Sequence, residues 1–389
     1  MSSRFGRALL AAALIGVTAC GSTALPKARR EPSPSPSPSL PTAVSSPSPL
    51  AEPGPLSFNV QSLAQGLTAP WAIAFAADGS LWFTERPGRV RVIQGGRLLP
   101  NAALTLNVAN QPGCEGGLLG IAIKEPYAYL FYTYATGNGN VNRVSRFTIQ
   151  GTQLTGEKVL LDGIPGGACY HDGGRLKIGP DGLLYMSTGE TFVPSRAASP
   201  TGLNGKILAM NLDGSGEHVV AWGFRNPQGI AWDPAGHLYV SNNGPTGDLG
   251  LCCHDSIFQV DPGGFYGWPW WAGNVRTGYG GSPPQARAPP IAESGDVAYA
   301  PSGMTFFAPA GQRPTLLVTE LKGSALRRLI IDPADPSHVL QQQIVFSGYG
   351  RLRDAVAGPD GCLYILTSNR DGRGSPSAVD DQVLRLCAR

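Results

Sequence analysis

Three features that would place this chain in a common class of protein are missing from it. Only 15% of its residues are charged, the formal net charge is +3, and no run of Lys or Arg follows residue 30, so nothing indicates nucleic-acid binding. The apolar run at residues 8–17 is too short for a mature membrane-spanning helix, which needs about 20 residues. Cysteines at a zinc-binding spacing, such as Cys-x-x-Cys, are also absent.

Glycine and proline are plentiful instead, with 52 and 35 copies, which favours a turn-rich β protein over a helical one. Six times an apolar run breaks at a tight turn and restarts as a run rich in Leu, Tyr, Val and Phe, as at residues 181–187. The turns recur at intervals of about 50 residues, the length typical of a propeller blade. They are marked by Gly79, Tyr127, Gly182, Gly236, Gly311 and Gly361. The sequence therefore predicts an all-β, six-bladed β-propeller, with its functional site in the central channel.

The N-terminal region is expected to lie outside this fold. Arg4 and Arg7 precede the short apolar run, and a small residue precedes Cys20, which resembles a bacterial lipobox. We expect a signal peptide at residues 1–19, lipidation of Cys20, and export to the cell envelope, where the lipid is the only membrane anchor. An ordinary signal peptide with an incidental Cys20 is the alternative. Residues 20–55, rich in Pro and Ser, predict a disordered tether, and residues 56–389 the propeller.

Six cysteines remain after Cys20, and an even number in an exported protein predicts three disulfides. Cys362 and Cys387 lie on strand-like runs of the last blade and form the most direct pair. The other four are Cys114 and Cys169, each beside a candidate active-site motif, and the adjacent Cys252 and Cys253.

Two loops carry polar residues that a propeller strand does not need. His171 stands just before Gly173 and a predicted strand, where an exposed imidazole can accept a proton near neutral pH. A structural histidine is the alternative. Arg225 and Asn226 precede a rigid proline, which can hold a planar guanidinium still for an anionic or carbonyl ligand. A turn with a solvated arginine is the alternative.

Two further motifs indicate ions. Gly244 and Pro245 can present bare carbonyl oxygens, which suit a hard cation such as Ca²⁺, unless the segment is only a flexible loop. Arg351 and Arg353 would share one face of a strand, where the two charges repel unless an anion joins them. Together with Lys322 and Arg225 they predict a polyanionic ligand, although each alone is compatible with a surface charge.

Nine motifs in this order, over residues 58–389, resemble the soluble quinoprotein sugar dehydrogenases of the glucose, aldose and sorbosone type. They are Pro70-Trp71, Thr84-Glu85-Arg86, Gly116-Gly117-Leu118-Leu119, His171 with Gly174-Arg175-Leu176, residues 223–229, residues 244–248, residues 266–269, residues 300–304 and residues 350–354.

The resemblance implies a dehydrogenase that oxidises aldose sugars with pyrroloquinoline quinone (PQQ) and Ca²⁺, and an electron acceptor that the motifs do not specify. It implies that His171 is the general base while hydride passes to PQQ. Arg225 would stabilise charge on the quinone oxygen and Asn226 would orient the cofactor. The resemblance also supplies ligands: the carbonyls of Gly244 and Pro245 for Ca²⁺, and Lys322, Arg351 and Arg353 for the carboxylates of PQQ.

The chain departs from the family pattern at three places. Glu115 stands where the family has Gln, so a carboxylate here would either add a Ca²⁺ ligand or repel the cofactor. Tyr170 replaces the Asp that precedes the catalytic histidine in glucose-oxidising members, and residues 249–253 lack the family's Glu-Leu-Asn. Two alternatives remain. A Ca²⁺-dependent lactonase-type hydrolase would need several carboxylates on the metal, and a non-catalytic binding propeller would be expected to lose His171 or Arg225.

Overall fold

The computed structural model describes residues 50–389. The predicted signal peptide, Cys20 and residues 20–49 of the predicted tether lie outside the described residues. None of the helices within residues 50–389 combines the length and the apolar character that a membrane crossing requires.

The described chain is built from antiparallel sheets that follow one another along the sequence. The first strand, β1 (Phe58–Ala64), belongs to the last sheet. Blade 1 contains β2 (Pro70–Phe75), β3 (Leu81–Glu85), β4 (Arg89–Gln94), β5 (Arg97–Leu98) and β6 (Leu104–Thr105). Blade 2 contains β7 (Leu118–Lys124), β8 (Tyr127–Thr136), β9 (Gly139–Gln150) and β10 (Gln153–Pro165). Blade 3 contains β11 (Gly173–Ile178), β12 (Leu184–Thr188), the short helix α1 (Pro194–Ala198), β13 (Lys206–Met210) and β14 (His218–Trp222).

The second half repeats this plan. Blade 4 contains β15 (Asn226–Trp232), β16 (Leu238–Asn243), a 3₁₀ turn (Asp248–Gly250), β17 (Ser256–Val260), a separate hairpin of β18 (Trp271–Ala272) and β19 (Val275–Arg276), and β20 (Ala292–Glu293). Blade 5 contains β21 (Pro301–Phe307), β22 (Thr315–Glu320), β23 (Ala325–Asp332) and β24 (Asp335–Ser347). Blade 6 contains β25 (Leu352–Ala357), β26 (Leu363–Thr367) and β27 (Val383–Ala388), and β1 completes it.

The blades form a closed ring. The first strand of each blade contacts the first strand of the next, from β2 through β7, β11, β15 and β21 to β25, and β25 contacts β2 again. Blade 6 joins the two ends of the described chain, because β1 pairs with β27 from Phe58 opposite Ala388 to Ala64 opposite Val383. The predicted six-bladed β-propeller is therefore confirmed.

The turns predicted from the sequence link the first two strands of every blade. Five of the six markers are glycines with positive φ, such as Gly79 at 80° and Gly236 at 93°, which a tight hairpin requires and which L-residues rarely adopt. The turn in blade 2 instead contains Glu125 and Pro126. The wider interval before Gly311 has a simple cause: blade 4 carries a long insertion between β17 and β20, including the hairpin β18–β19.

Strands in the middle of a blade are buried on both faces, because each sheet packs between two others. All five residues of β3, β13 and β26 are buried, so these strands show no alternation of apolar and polar residues. The outermost strands β10 and β24 are mostly exposed. The core between the blades is consequently aromatic and aliphatic, and its largest fully buried apolar side chains include Trp82, Phe83, Tyr129, Phe131, Tyr239 and Phe258.

Three disulfides are present, as predicted. They join Cys114 to Cys169, Cys252 to Cys253, and Cys362 to Cys387. The last crosses blade 6 next to the paired residues Leu363 and Leu386. The first joins the loop before β7 to the loop before β11, and so fixes two adjacent blades to each other.

Candidate functional site

A cavity of about 580 Å³ opens at one end of the central channel. It lies where the first strand of each blade begins and the second ends, so strand ends and loops from every blade contribute side chains. Eight residues predicted from the sequence line it: Glu115, His171, Arg225, Asn226, Gly244, Lys322, Arg351 and Arg353. Pro245 follows Gly244 but does not line the cavity. A concave site with a few convergent polar groups is typical of small-molecule binding.

His171 is held in one orientation by a carboxylate that the sequence analysis missed. It lies two residues before β11, with φ of 63°, and its Nδ1 atom is 2.5 Å from Oε1 of Glu190. Glu190 follows β12 and its side chain is fully buried. Because Nδ1 is engaged, Nε2 is the imidazole nitrogen that has no partner among the described residues. A carboxylate on one ring nitrogen fixes the tautomer and the orientation of the ring.

Glu115 connects His171 to the opposite side of the ring. Its Oε2 atom accepts a hydrogen bond from the backbone N–H of His171 at 2.8 Å and lies 3.4 Å from Nδ2 of Asn226. Its Oε1 atom accepts from Arg373 at 2.8 Å. Burial opposes the ionisation of Glu115, but its interactions with His171 and Arg373 outweigh burial and lower the pKa of Glu115 to about 2. The carboxylate is therefore charged and compensated by Arg373.

A backbone contact reinforces this link. The N–H of Glu115 donates to the carbonyl of Cys169 at 2.7 Å, next to the Cys114–Cys169 disulfide. The loop that carries His171 is thus fixed to the Glu115 loop by one covalent bond and by two hydrogen bonds.

Arg225 forms a bidentate ion pair. Its Nε and Nη2 atoms lie 2.7 Å and 2.9 Å from the two carboxylate oxygens of Asp248. Burial opposes the ionisation of Asp248, yet its pKa is lowered because Arg225 donates to it. Arg225 is itself buried and its guanidinium lies 5.7 Å from the centre of the Trp268 ring. The guanidinium is therefore held in one orientation by a protein partner, Asp248, and is buried rather than solvated.

The two arginines of blade 6 also share an anion within the protein. Arg351 donates to Oδ2 of Asp371 from Nε at 3.0 Å and from Nη2 at 2.9 Å, and Nη2 of Arg353 lies 3.5 Å from the same atom. Arg351 lies one residue before β25 rather than within it, but both side chains reach the cavity. Asp371 is thus the anion that the repulsion argument required.

Positive charge still dominates the cavity wall. Burial lowers the pKa of Arg353 to about 9, and its Nε atom is buried without a hydrogen-bond partner in the described structure. Lys322 lies two residues beyond the end of β22, and its ammonium makes no hydrogen bond or ion pair with residues 50–389. Six cations line the cavity against three carboxylates: Arg86, Arg225, Lys322, Arg351, Arg353 and Arg373 against Glu115, Asp172 and Asp255. The excess matches an anionic ligand with several charges.

Gly244 lies where only glycine fits. A Cβ at this position would be 1.7 Å from the carbonyl oxygen of Cys253, so the backbone at Cys253 packs directly against it. Its N–H donates to Asp255 at 2.8 Å. The carbonyls of Gly244 and Pro245 accept no hydrogen bond from the described residues. Residues 50–389 contain no group of three or more His, Cys, Asp or Glu side chains arranged to hold a metal.

Comparison with known proteins supplies the family. The profile of the Glucose / Sorbosone dehydrogenase family matches residues 67–375. The chain is 28% identical to quinoprotein glucose dehydrogenase B of Acinetobacter calcoaceticus, covering 82% of this chain and 87% of that protein. It is 27% identical to aldose sugar dehydrogenase YliI of Escherichia coli K12, over 82% and 92% of the two chains.

A solved structure agrees with these matches. The PQQ-bound aldose sugar dehydrogenase of Streptomyces coelicolor is 30% identical and superposes with a TM-score of 0.74, over 87% of this chain and 100% of that chain. The resemblance drawn from the motifs is therefore confirmed, and this chain belongs to the glucose/sorbosone dehydrogenase family of oxidoreductases.

Proposed function

We propose that this protein is a PQQ-dependent dehydrogenase that oxidises aldose sugars with the assistance of Ca²⁺. The observation that carries the proposal is the His171–Glu190 pair beside a cavity whose charged lining residues are mainly cations. The named relatives and the PQQ-bound Streptomyces structure support the choice of sugar and cofactor.

The cavity fits the charge of PQQ, which carries three carboxylates. Lys322, Arg351 and Arg353 would hold those carboxylates, because each lines the cavity and the buried Nε of Arg353 has a hydrogen to donate. Asn226 would orient the cofactor. Its carboxamide is already fixed, because Oδ1 accepts from Nε2 of Gln228 at 3.0 Å. Such preorganisation reduces the entropic cost of binding.

Ca²⁺ would bind to the carbonyl oxygens of Gly244 and Pro245. The fit rests on their chemistry, since carbonyls without hydrogen-bond partners are suitable ligands for a hard cation. Asp255 and the Cys252–Cys253 disulfide hold Gly244 in place through the N–H bond and the close backbone contact described above.

His171 acts as the general base on the substrate. Its Nε2 atom takes the proton of the sugar hydroxyl, and the carboxylate of Glu190 stabilises the imidazolium that forms. The carbon that bears this hydroxyl loses its hydrogen with the bonding electron pair, so the C–O bond becomes a carbonyl and an aldose becomes a lactone. PQQ, when bound, supplies the quinone that accepts this hydride. Arg225, fixed by Asp248, would stabilise negative charge on the quinone oxygen.

The proposed location is the outer side of a bacterial membrane. The lipobox-like segment before Cys20 motivates export and a lipid anchor, and the Pro/Ser-rich residues 21–55 would separate the propeller from the membrane.

Reconstitution tests the function directly. The purified protein should reduce an artificial dye with D-glucose or another aldose only after both PQQ and Ca²⁺ are added, and PQQ should change its absorbance spectrum on binding. If no aldose reduces the dye in the presence of both, the proposal fails, and a sugar-binding propeller without catalysis becomes the better hypothesis.

A further inference from the structure

Two aromatic rings are exposed at the mouth of the cavity, both next to the imidazole of His171. Tyr170 is 38% exposed and Phe192 is 56% exposed, and both line the cavity. Their ring centroids are 6.1 Å apart, and the Phe192 ring lies 5.3 Å from the imidazole of His171. Tyr170 and Phe192 are called the aromatic pair below. Large apolar rings in a polar cavity are informative, because folding alone would bury them.

The backbone beneath Phe192 adopts a conformation that the sequence disfavours. Thr191 and Phe192 have φ of 57° and 61°, the left-handed region in which a β-branched residue is a rare outlier. Such conformations cost free energy and persist where surrounding contacts hold them, often at functional sites. Here Thr191 donates its N–H to the carbonyl of His171 at 3.1 Å, and its hydroxyl contacts Arg196. The strained corner places the Phe192 ring at the cavity mouth.

Each ring is linked to His171 through a different carboxylate, Phe192 through Glu190 and Tyr170 through Glu115. Oε1 of Glu190 accepts from the imidazole of His171 and also from the backbone N–H of Phe192, at 2.9 Å. The guanidinium of Arg373 lies 5.3 Å from the Tyr170 ring and pairs with Glu115, which in turn binds the N–H of His171. The positions of the two rings are thus fixed relative to the proposed base.

The chemistry of a pyranose matches this arrangement. The faces of a pyranose ring carry C–H bonds whose hydrogens are slightly positive, while the hydroxyls project around its edge. An aromatic face is slightly negative and attracts such hydrogens. A pyranose lying against the aromatic pair would direct its edge hydroxyls to the imidazole and to the polar wall of the cavity.

We propose that Tyr170 and Phe192 form a substrate platform that binds the face of a pyranose ring and favours cyclic aldoses over acyclic polyols. The inference rests on the proposed function, because it places the sugar in the same cavity. It explains why a tyrosine stands at position 170, where glucose-oxidising relatives have an acidic residue.

The test compares Tyr170→Ala and Phe192→Ala with Val193→Ala, a neighbouring position whose side chain is 38% exposed but does not line the cavity. In the full chain loaded with PQQ and Ca²⁺, we expect each aromatic variant to raise the KM for D-glucose about 3- to 10-fold, the size of one aromatic contact, with little change in kcat. Val193→Ala should match the wild type. Phe192→Leu, which keeps the bulk but removes the ring, should raise the KM for D-glucose. Phe192→Tyr, which keeps an aromatic ring, should have the KM of the wild type. The KM for D-glucitol should change less than the KM for D-glucose.

A second measurement separates this inference from the proposed function. Methyl β-D-glucopyranoside has no free anomeric hydroxyl, so its dissociation constant, measured by calorimetry, reports binding without oxidation. If the wild type oxidises no aldose, the proposed function fails, but weaker glycoside binding by Phe192→Ala still supports the platform. The platform is refuted if KM and the glycoside dissociation constant are unchanged in both alanine variants. Thermal unfolding identifies a variant that fails to fold, in which case Phe192→Leu decides the question.

Discussion

Nη1 of Arg373 lies 2.8 Å from Oε1 of Glu115, joining the long loop after β26 to the loop before β7. Glu115 is a departure from the glutamine of the family, and an arginine from the last blade supplies its countercharge. The departure is thus compensated within the protein, which changes what its removal should do.

Glu115→Gln should reduce the loss of unfolding free energy that the protein suffers as the pH falls below about 4.5. The pKa of Glu115 is about 2 in the folded protein against an ordinary value of 4.5. A lowered carboxyl pKa contributes stability that is complete above pH 4.5 and is lost as the pH falls toward 2, amounting to at most about 3 kcal/mol. The free energy of unfolding, measured by urea titration from pH 6 to pH 2.5, should fall more steeply in the wild type. Parallel profiles would contradict the prediction.

The same variant decides whether Glu115 acts on the cofactors. If the carboxylate binds the metal, Glu115→Gln should weaken activation by Ca²⁺, and if it repels PQQ, the variant should bind PQQ more tightly. Unchanged constants for both would limit its role to holding His171 and Asn226.

Loss of the base should affect chemistry and leave cofactor binding intact. His171→Ala should lower kcat by about 10²–10⁴-fold, the usual contribution of a general base, while the PQQ dissociation constant stays near that of the wild type. Glu190→Gln should give a smaller loss, because it keeps a hydrogen-bonding group but no charge. His218→Ala is the matched control, since His218 is exposed on β14 and does not line the cavity. Full turnover in His171→Ala would exclude this histidine as the base.

Arg353→Ala should show the opposite pattern. It removes a proposed partner for a PQQ carboxylate, so the PQQ concentration that gives half-maximal activity should rise by about tenfold or more, as expected for a charge-assisted hydrogen bond. Turnover at saturating PQQ should remain close to that of the wild type. Arg385→Ala provides the control, because Arg385 pairs with Asp360 at the protein surface. Equal PQQ requirements in the two variants would refute the assignment.

Removing the Cys114–Cys169 disulfide should loosen the His171 loop. The double variant Cys114→Ser/Cys169→Ser should lose about 2–5 kcal/mol of stability, and its KM for the sugar should rise because Glu115 and His171 lose a shared constraint. Non-reducing peptide mass spectrometry first establishes that the wild type contains the bond. A variant with reduced stability but an unchanged KM would show that the two hydrogen bonds suffice to position the loop.

Lipid anchoring through Cys20 is tested by fractionation. Cys20→Ser should move the protein from the membrane fraction to the soluble fraction, and the wild type alone should carry the mass of a lipid. Membrane association that survives the substitution, in a wild type without lipid, would overturn the lipobox interpretation.

The fold was largely predictable because its signal is local. Each blade is marked in the sequence by a turn that needs glycine or proline and by a following strand that is buried on both faces. The markers from Gly79 to Gly361 therefore fall in equivalent hairpins. Eight of the proposed cofactor, metal and catalytic residues also line one cavity, although they come from five different blades.

The partners of these residues were not predictable in the same way. Glu190 and Asp371 are short-range neighbours of His171 and the blade 6 arginines only after the strands pair, and Arg373 reaches Glu115 only after the ring closes. A counterion is selected by the geometry of loops on different strands, which residue spacing does not encode. The exposed position of Phe192 depends likewise on the two left-handed residues of its loop.

The pairing of β1 with β27 has a consequence for folding. The other sheets can form from neighbouring segments one after another, but β1 must wait for an edge that exists only when residues 383–388 are available. A chain that stopped just short of β27 would contain all the residues that line the cavity, but β1 would have no partner strand and blade 6 would lack two of its four strands. The last six-residue strand thus completes the sheet of blade 6 and binds the first strand of the described chain to it.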